Sequence, residues 1–94
     1  MHPLIEANRQ QLVELARRRG IVDLRLFGSM ARGDAHENSD VDLLVRLTPG
    51  TSGLALGGLL LDAQELLGRR VDLVTEPGLH PLLRDRVLRD AIPL

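Results

Sequence analysis

Ninety-four residues, 44% apolar and 27% charged, fit one small globular domain spanning residues 1–94, and no more. Phe27 is the sole aromatic, every basic residue is an arginine, and the formal charge is −1, which together argue against a general nucleic-acid-binding protein. The lack of lysine excludes a Walker-type phosphate loop and Schiff-base chemistry, and the lack of cysteine excludes disulfides, thiolate metal sites and a thiol nucleophile.

Pro3 suits the first turn of a helix, and Ile5, Asn8, Leu12, Leu15 and Ala16 recur at helical spacing up to Gly20, a stop signal. Arg17, Arg18 and Arg19 fall in its last turn, where positive charge complements the dipole. They read as a solvated helix end, with a docking patch as the alternative. IVDLRLF then alternates as a strand, with Val22, Leu24 and Leu26 on one face and Asp23 and Arg25 on the other. A turn at Gly28–Ser29, a short helical stretch near Met30–Arg32 and the polar loop GDAHENS lead to a second strand, DVDLLV. There Val41, Leu43 and Val45 share one face, and Asp40, Asp42 and Leu44 the other.

TPGTSG is a loop by composition, and Leu56, Leu59, Leu60, Ala63, Leu66 and Leu67 then form a helical stripe ending at Gly68. Gly57 and Gly58 either weaken the first turn of that helix or permit a close approach there. RVDLVT is a third strand, with Val71 and Leu73 inward and Asp72 opposite. After an EPG turn, HPLLRDRVLRDAI reads as a last short helix, with Leu83, Val87 and Leu88 near one side. The apolar AIPL at the end is a candidate interface, with helix packing the blander alternative. The expected order is α-β-α-β-α-β-α: an α/β (α+β) domain with a short mixed sheet of about three strands and flanking helices. The N-terminus has no signal pattern, and the most apolar run, Leu54–Leu61, is too short to span a bilayer, so a cytoplasmic protein without membrane association is expected.

The aspartates carry the chemistry. Residues i and i+2 of a strand project from one face roughly 7 Å apart, so Asp40 and Asp42 are neighbouring carboxylates, and Asp72 converges on them if the third strand lies beside the second. Two unit charges about 7 Å apart repel by roughly 2.4 kcal/mol at an effective dielectric near 20. Such a cluster calls for raised pKa values or a divalent cation. Oxygen ligands with no histidine or cysteine among them select Mg²⁺ or Mn²⁺, which fill their shells with waters and substrate phosphates. Gly28 allows close backbone approach, Ser29 is able to cap the short helix while donating to a phosphate, and Arg32 is able to pair with phosphate oxygens. Taken singly, each of these three residues also has an ordinary structural explanation. Ser39 is expected to shape the turn into the second strand, and His2, His36 and His80 to serve as loop or helix-end polarity, with a minor nucleotide contact open to His36.

GSMARG followed by SDVDLLV resembles the Gly-Ser and Asp-x-Asp signature of the DNA polymerase β-like nucleotidyltransferase superfamily. In so short a chain, the ARG after Gly-Ser and the later VDLV strand are similar to the minimal nucleotidyltransferases, usually the antitoxin half of modules whose toxin is a HEPN-domain ribonuclease. The resemblance runs from about Leu24 to the C-terminus and implies the small nucleotidyltransferase fold. It implies that Gly28, Ser29 and Arg32 hold the triphosphate of ATP, that Asp40 and Asp42 ligate two Mg²⁺ ions (Mn²⁺ being an alternative), and that Asp72 completes the metal site and orients or deprotonates the acceptor hydroxyl. The implied function is transfer of AMP to a hydroxyl, with tyrosine expected, on a HEPN toxin held in a hetero-oligomer. A protein acceptor also fits the size of the chain, which leaves no room for a second substrate-binding domain. The alternatives are a non-catalytic antitoxin that acts by binding and a stand-alone transferase acting on a small molecule.

Overall fold

The computed structural model describes all of residues 1–94. In chain order it contains α1 (Pro3–Arg18), β1 (Ile21–Phe27), α2 (Ser29–Arg32), β2 (Val41–Leu47), α3 (Gly53–Leu67), β3 (Val71–Thr75), a 3-10 turn at Glu76–Gly78, α4 (Pro81–Asp90) and β4 (Ile92–Pro93). The mixed sheet has the order β3-β2-β1-β4. β1 runs antiparallel to both β2 and β4, while β2 and β3 are parallel and joined through α3.

The helices begin and end where local chemistry requires. Pro3 and Pro81 each follow a histidine whose Nδ1 accepts from a first-turn amide, Leu4 N–H onto His2 and Leu82 N–H onto His80. His2 and His80 are therefore helix caps, the helix-end role expected of them. α1 closes on Gly20 at φ 76° and α3 on Gly68 at φ 63°, left-handed positions that glycine occupies without steric cost.

One face of the sheet carries the apolar core. Leu24 and Leu26 of β1, Val41, Leu43 and Val45 of β2, and Val71 of β3 are buried there against Ile5, Leu12 and Ala16 of α1, Met30 of α2, and Leu59, Ala63 and Leu67 of α3. The stripes expected on both long helices are thus the faces that pack. The opposite face carries Asp23, Arg25 and Phe27 of β1 against Arg46, Leu44 and Asp42 of β2, continuing to Val74 and Asp72 of β3.

Three expectations need correction. Val22 was expected inward but is 66% exposed, because a bulge between Ile21 and Asp23 leaves it without a partner and turns Ile21 inward instead. The sheet has four strands rather than about three. Ile92 and Pro93 leave the last helix and pair with Leu26 and Arg25, and Leu94 N–H donates to the Leu24 carbonyl at 2.9 Å. The last helix accordingly ends at Asp90, contributes no buried residue, and leaves Leu82 and Leu83 exposed. Pro93 lacks an amide hydrogen, which suits it to an edge strand.

The arginine run at the end of α1 divides. Arg18 pairs with Glu14 on its own helix, while Arg19 reaches α3 and donates to Asp62 at 2.9 Å and 3.1 Å. Its guanidinium lies over Gly58, where a Cβ would overlap it, whereas a Cβ at Gly57 would meet nothing. Close approach therefore accounts for Gly58 and not for Gly57. Gly57→Ala should stabilise the protein by about 0.5–1 kcal/mol through helix propensity. Gly58→Ala should fall near neutral, since that gain is offset by losing an exposed ion pair of about 0.2–1 kcal/mol. Urea denaturation of both variants checks this, and an equal gain from both would show that Arg19 relocates freely.

Candidate active site

At the end of β1 the chain turns sharply into α2, whose Met30 is buried in the core. Gly28 has φ 72° and ψ −156°, a conformation essentially confined to glycine, and a Cβ there would overlap the carboxylate of Asp42. The Gly28 carbonyl accepts from Ala31 and Arg32 N–H at 3.1 Å and 3.0 Å, and α2 ends on Gly33 at φ 89°. Gly28 occupies the cap position, so Ser29 is not the cap it was expected to be; it is the first residue of α2. Four residues make too short a helix for a substantial dipole. The groups this turn offers to an anion are its amides and the Ser29 hydroxyl, not a helix dipole.

The loop into β2 is pinned. His36 N–H donates to Ser39 Oγ at 2.8 Å, Ser39 N–H donates to the His36 carbonyl at 3.0 Å, and Asn38 N–H donates to His36 Nδ1 at 3.3 Å. Arg69 grips the same loop by donating to the carbonyls of His36 and Ser39 at 3.2 Å and 3.1 Å. Ser39 has the structural role expected of it, and Asp40 follows directly from this clamp. Arg69 carried no motif; its contribution depends on the tertiary approach of the turn before β3.

Asp42 sits one position into β2, opposite Phe27 on one side and opposite Asp72 in the parallel register on the other. Burial lifts its carboxyl above the ordinary aspartate range, Asp72 and Asp40 push it further, and the Arg32 guanidinium pulls it back. The three predicted carboxylates are therefore electrostatic neighbours, with Asp42 half-buried in the middle and Asp72 exposed. Their donor set is all oxygen, which suits a hard divalent cation, although no three acidic or histidine side chains close into a ready-made cage. Arg32 also pairs with Asp34 at 3.2 Å.

A cleft of about 380 Å³ opens above Asp42 and is lined by Phe27, Gly28, Ser29 and Arg32, with Leu83, Arg86, Val87 and Asp90 of α4 forming its other wall. The predicted Gly28, Ser29, Arg32 and Asp42 thus share one cavity, while Asp40 and Asp72 neighbour Asp42 without lining it. A larger hollow of about 590 Å³ lies at the opposite ends of β2 and β3, around Leu47, Thr75 and Glu76, away from the carboxylates. Of the two, only the smaller cleft holds predicted site residues. The α4 wall was not singled out in the sequence, where Arg84, Arg86 and Arg89 look alike.

The raised pKa of Asp42 has a consequence for stability. Below the ordinary aspartate range, folded and unfolded chains both hold the proton. Between that range and the raised folded value only the folded chain holds it, so this contribution to stability is lost as pH rises through the window. At neutral pH in chelator, Asp42→Asn should therefore be more stable than the native chain, by on the order of 0.5–2 kcal/mol. The gap should narrow as pH is lowered into the carboxylate range, and Mg²⁺ should raise the melting temperature of the native chain alone. Thermal denaturation with and without Mg²⁺ tests this. A variant less stable than the native chain at neutral pH would mean the carboxylate is not under repulsion.

Residues 9–94 match the nucleotidyltransferase domain family. The protein adenylyltransferase MntA of Thermococcus cleftensis is 40% identical over 79 residues, covering 84% of this chain and 80% of that protein. A Methanocaldococcus jannaschii protein, provisionally named protein adenylyltransferase MJ0435, is 37% identical over 84 residues, covering 89% of this chain and 90% of its own. A solved structure provisionally described as a minimal nucleotidyltransferase superposes with a TM-score of 0.86 at 49% identity, covering 100% of this chain and 97% of the other. A toxin-antitoxin structure with AMP-PNP superposes with a TM-score of 0.76 at 26% identity, covering 92% of this chain and 71% of its match.

Proposed function

The chain belongs to the nucleotidyltransferase domain family, and from that premise we propose that residues 1–94 act as one unit, an antitoxin that transfers AMP from ATP to a tyrosine hydroxyl of a partner HEPN-domain ribonuclease toxin. The observation that carries this reading is the alignment of Asp42 with Asp72 beside a glycine turn too close to Asp42 to admit a Cβ. It is supported by relatives named as protein adenylyltransferases and by the fold shared with a toxin-antitoxin structure.

In this mechanism the amides of the Gly28 turn, the Ser29 hydroxyl and Arg32 hold the triphosphate, while Asp40 and Asp42, with help from Asp72, would hold Mg²⁺. Mg²⁺, when bound there, would supply positive charge that offsets the charge on the phosphates. The acceptor oxygen attacks the α-phosphorus, forming a new P–O bond as the bond to the bridging oxygen of the β-phosphate breaks. Asp72, the most accessible of the three carboxylates, orients that hydroxyl and takes its proton. Asp42 is assigned to the metal because it stands between Asp40 and Asp72, where a divalent cation would offset the repulsion among the three.

The test is intact-mass analysis of the partner toxin incubated with the protein, Mg²⁺ and ATP. An AMP-sized, metal-dependent gain on the toxin supports transfer, and fragmentation then locates the acceptor. A complex that silences the toxin with no mass gain would replace this reading with antitoxin action by binding.

A further inference from the structure

The wall of the cleft opposite the glycine turn belongs to α4, a helix that contributes nothing to the buried core. It is strung between two attachments. At its start Arg84 pairs with Glu76 of the 3-10 turn at 2.6 Å, and at its end the chain passes into β4, paired with β1. Between these attachments the helix lies along the cleft and places Leu83, Arg86, Val87 and Asp90 on its rim.

Two arginines line this cleft. Arg32 is already committed to Asp34, whereas Arg86 enters no ion pair. Asp90 stands one turn further along the same helix and leaves Arg86 unneutralised. Neither Arg84, which is tied to Glu76, nor Arg89 lines the cleft. Arg86 is thus an uncommitted guanidinium facing the Gly28–Ser29 turn across a cavity floored by Asp42. A guanidinium is a fixed fork of donors suited to bidentate contact with phosphate oxygens.

The geometry points to Arg86 as a nucleotide-binding residue that clasps the polyphosphate of ATP from the side opposite the glycine turn and draws α4 down over the cleft. This deepens the proposed function and rests on it. The phosphates would lie between the Gly28–Ser29 turn and α4, with Leu83 and Val87 flanking Arg86 as an apolar shoulder. No residue of α4 is fully buried and none belongs to the core cluster, so this movement need not break a core contact.

The experiment compares the native chain with Arg86→Ala, Arg86→Lys and Arg89→Ala, using MgATP and adenosine as ligands. Calorimetry gives affinity, and amide hydrogen exchange gives protection over residues 28–33 and 81–90. Arg86→Ala should weaken ATP binding roughly ten- to hundredfold and leave adenosine binding unchanged. Arg86→Lys should recover part of the loss, and Arg89→Ala should match the native chain. ATP should slow exchange in both segments of the native chain, but in Arg86→Ala only over residues 28–33. Unchanged ATP affinity and unchanged protection over residues 81–90 in Arg86→Ala would overturn the role of Arg86 while leaving the proposed function standing. A native chain that binds no ATP would overturn both.

Discussion

Asp42→Asn should leave the protein folded and lower AMP transfer by at least about a thousandfold. Asparagine keeps the size of the side chain and removes only the charge that would attract the cation. Metal-borne stabilisation of a transferring phosphoryl group is worth several kcal/mol, and each 1.4 kcal/mol is about a tenfold change in rate. Asp42 occupies the centre of the group: Asp72 faces it across the ladder, Asp40 precedes it by two residues, and burial raises the cost of its charge. The same substitution relieves repulsion in the metal-free protein, so the inactive variant should melt higher than the active one in chelator. Single-turnover transfer and thermal denaturation on one preparation separate these effects. Near-native turnover with Mg²⁺ would remove Asp42 from the metal site.

Gly28→Ala should cost at least about a hundredfold in transfer and about 1–3 kcal/mol in stability. Two effects combine there: the backbone conformation is one that L-residues rarely adopt, and the new methyl would overlap the Asp42 carboxylate. Displacing a reacting group by about 1 Å is enough for a hundredfold loss. Gly33→Ala is the control, because φ at Gly33 is 89° and a Cβ there meets nothing. It should lose stability of the same order while retaining most activity. If both variants lose activity equally, disturbance of α2 as a whole, rather than contact with Asp42, is responsible.

Local signals were most legible where one residue decides the outcome. Pro3, Gly20 and Gly68 bounded their helices, and the alternation in DVDLLV separated the core face from the acidic face of β2. The phase of β1 shifts at Val22, out of step with its own alternation, because the bulge is set by pairing with β2. The last helix ends earlier than its sequence pattern suggests because Ile92–Leu94 is drawn to the open edge of β1, a partner distant in sequence. The group Gly28, Ser29, Arg32, Asp40, Asp42 and Asp72 was visible as a motif, yet the approach of Asp72 to Asp42 depends on β3 lying parallel beside β2. Arg86 and Arg69 had no sequence signal separating them from their neighbours, since only the packing of α4 and of the turn before β3 selects them.

The two faces of β2 assign neighbouring codons to unrelated selective pressures. Val41, Leu43 and Val45 answer to volume and hydrophobicity, so exchanges among aliphatic residues at those positions should survive a screen for folded protein. Asp42 answers to charge and reach, and no exchange should survive a screen for transfer. Deleting one residue inside this strand would shift every later side chain to the opposite face and fail both screens together. Family members that differ in loop length are therefore expected to carry their insertions outside Val41–Val45, with the acidic positions kept on alternate residues.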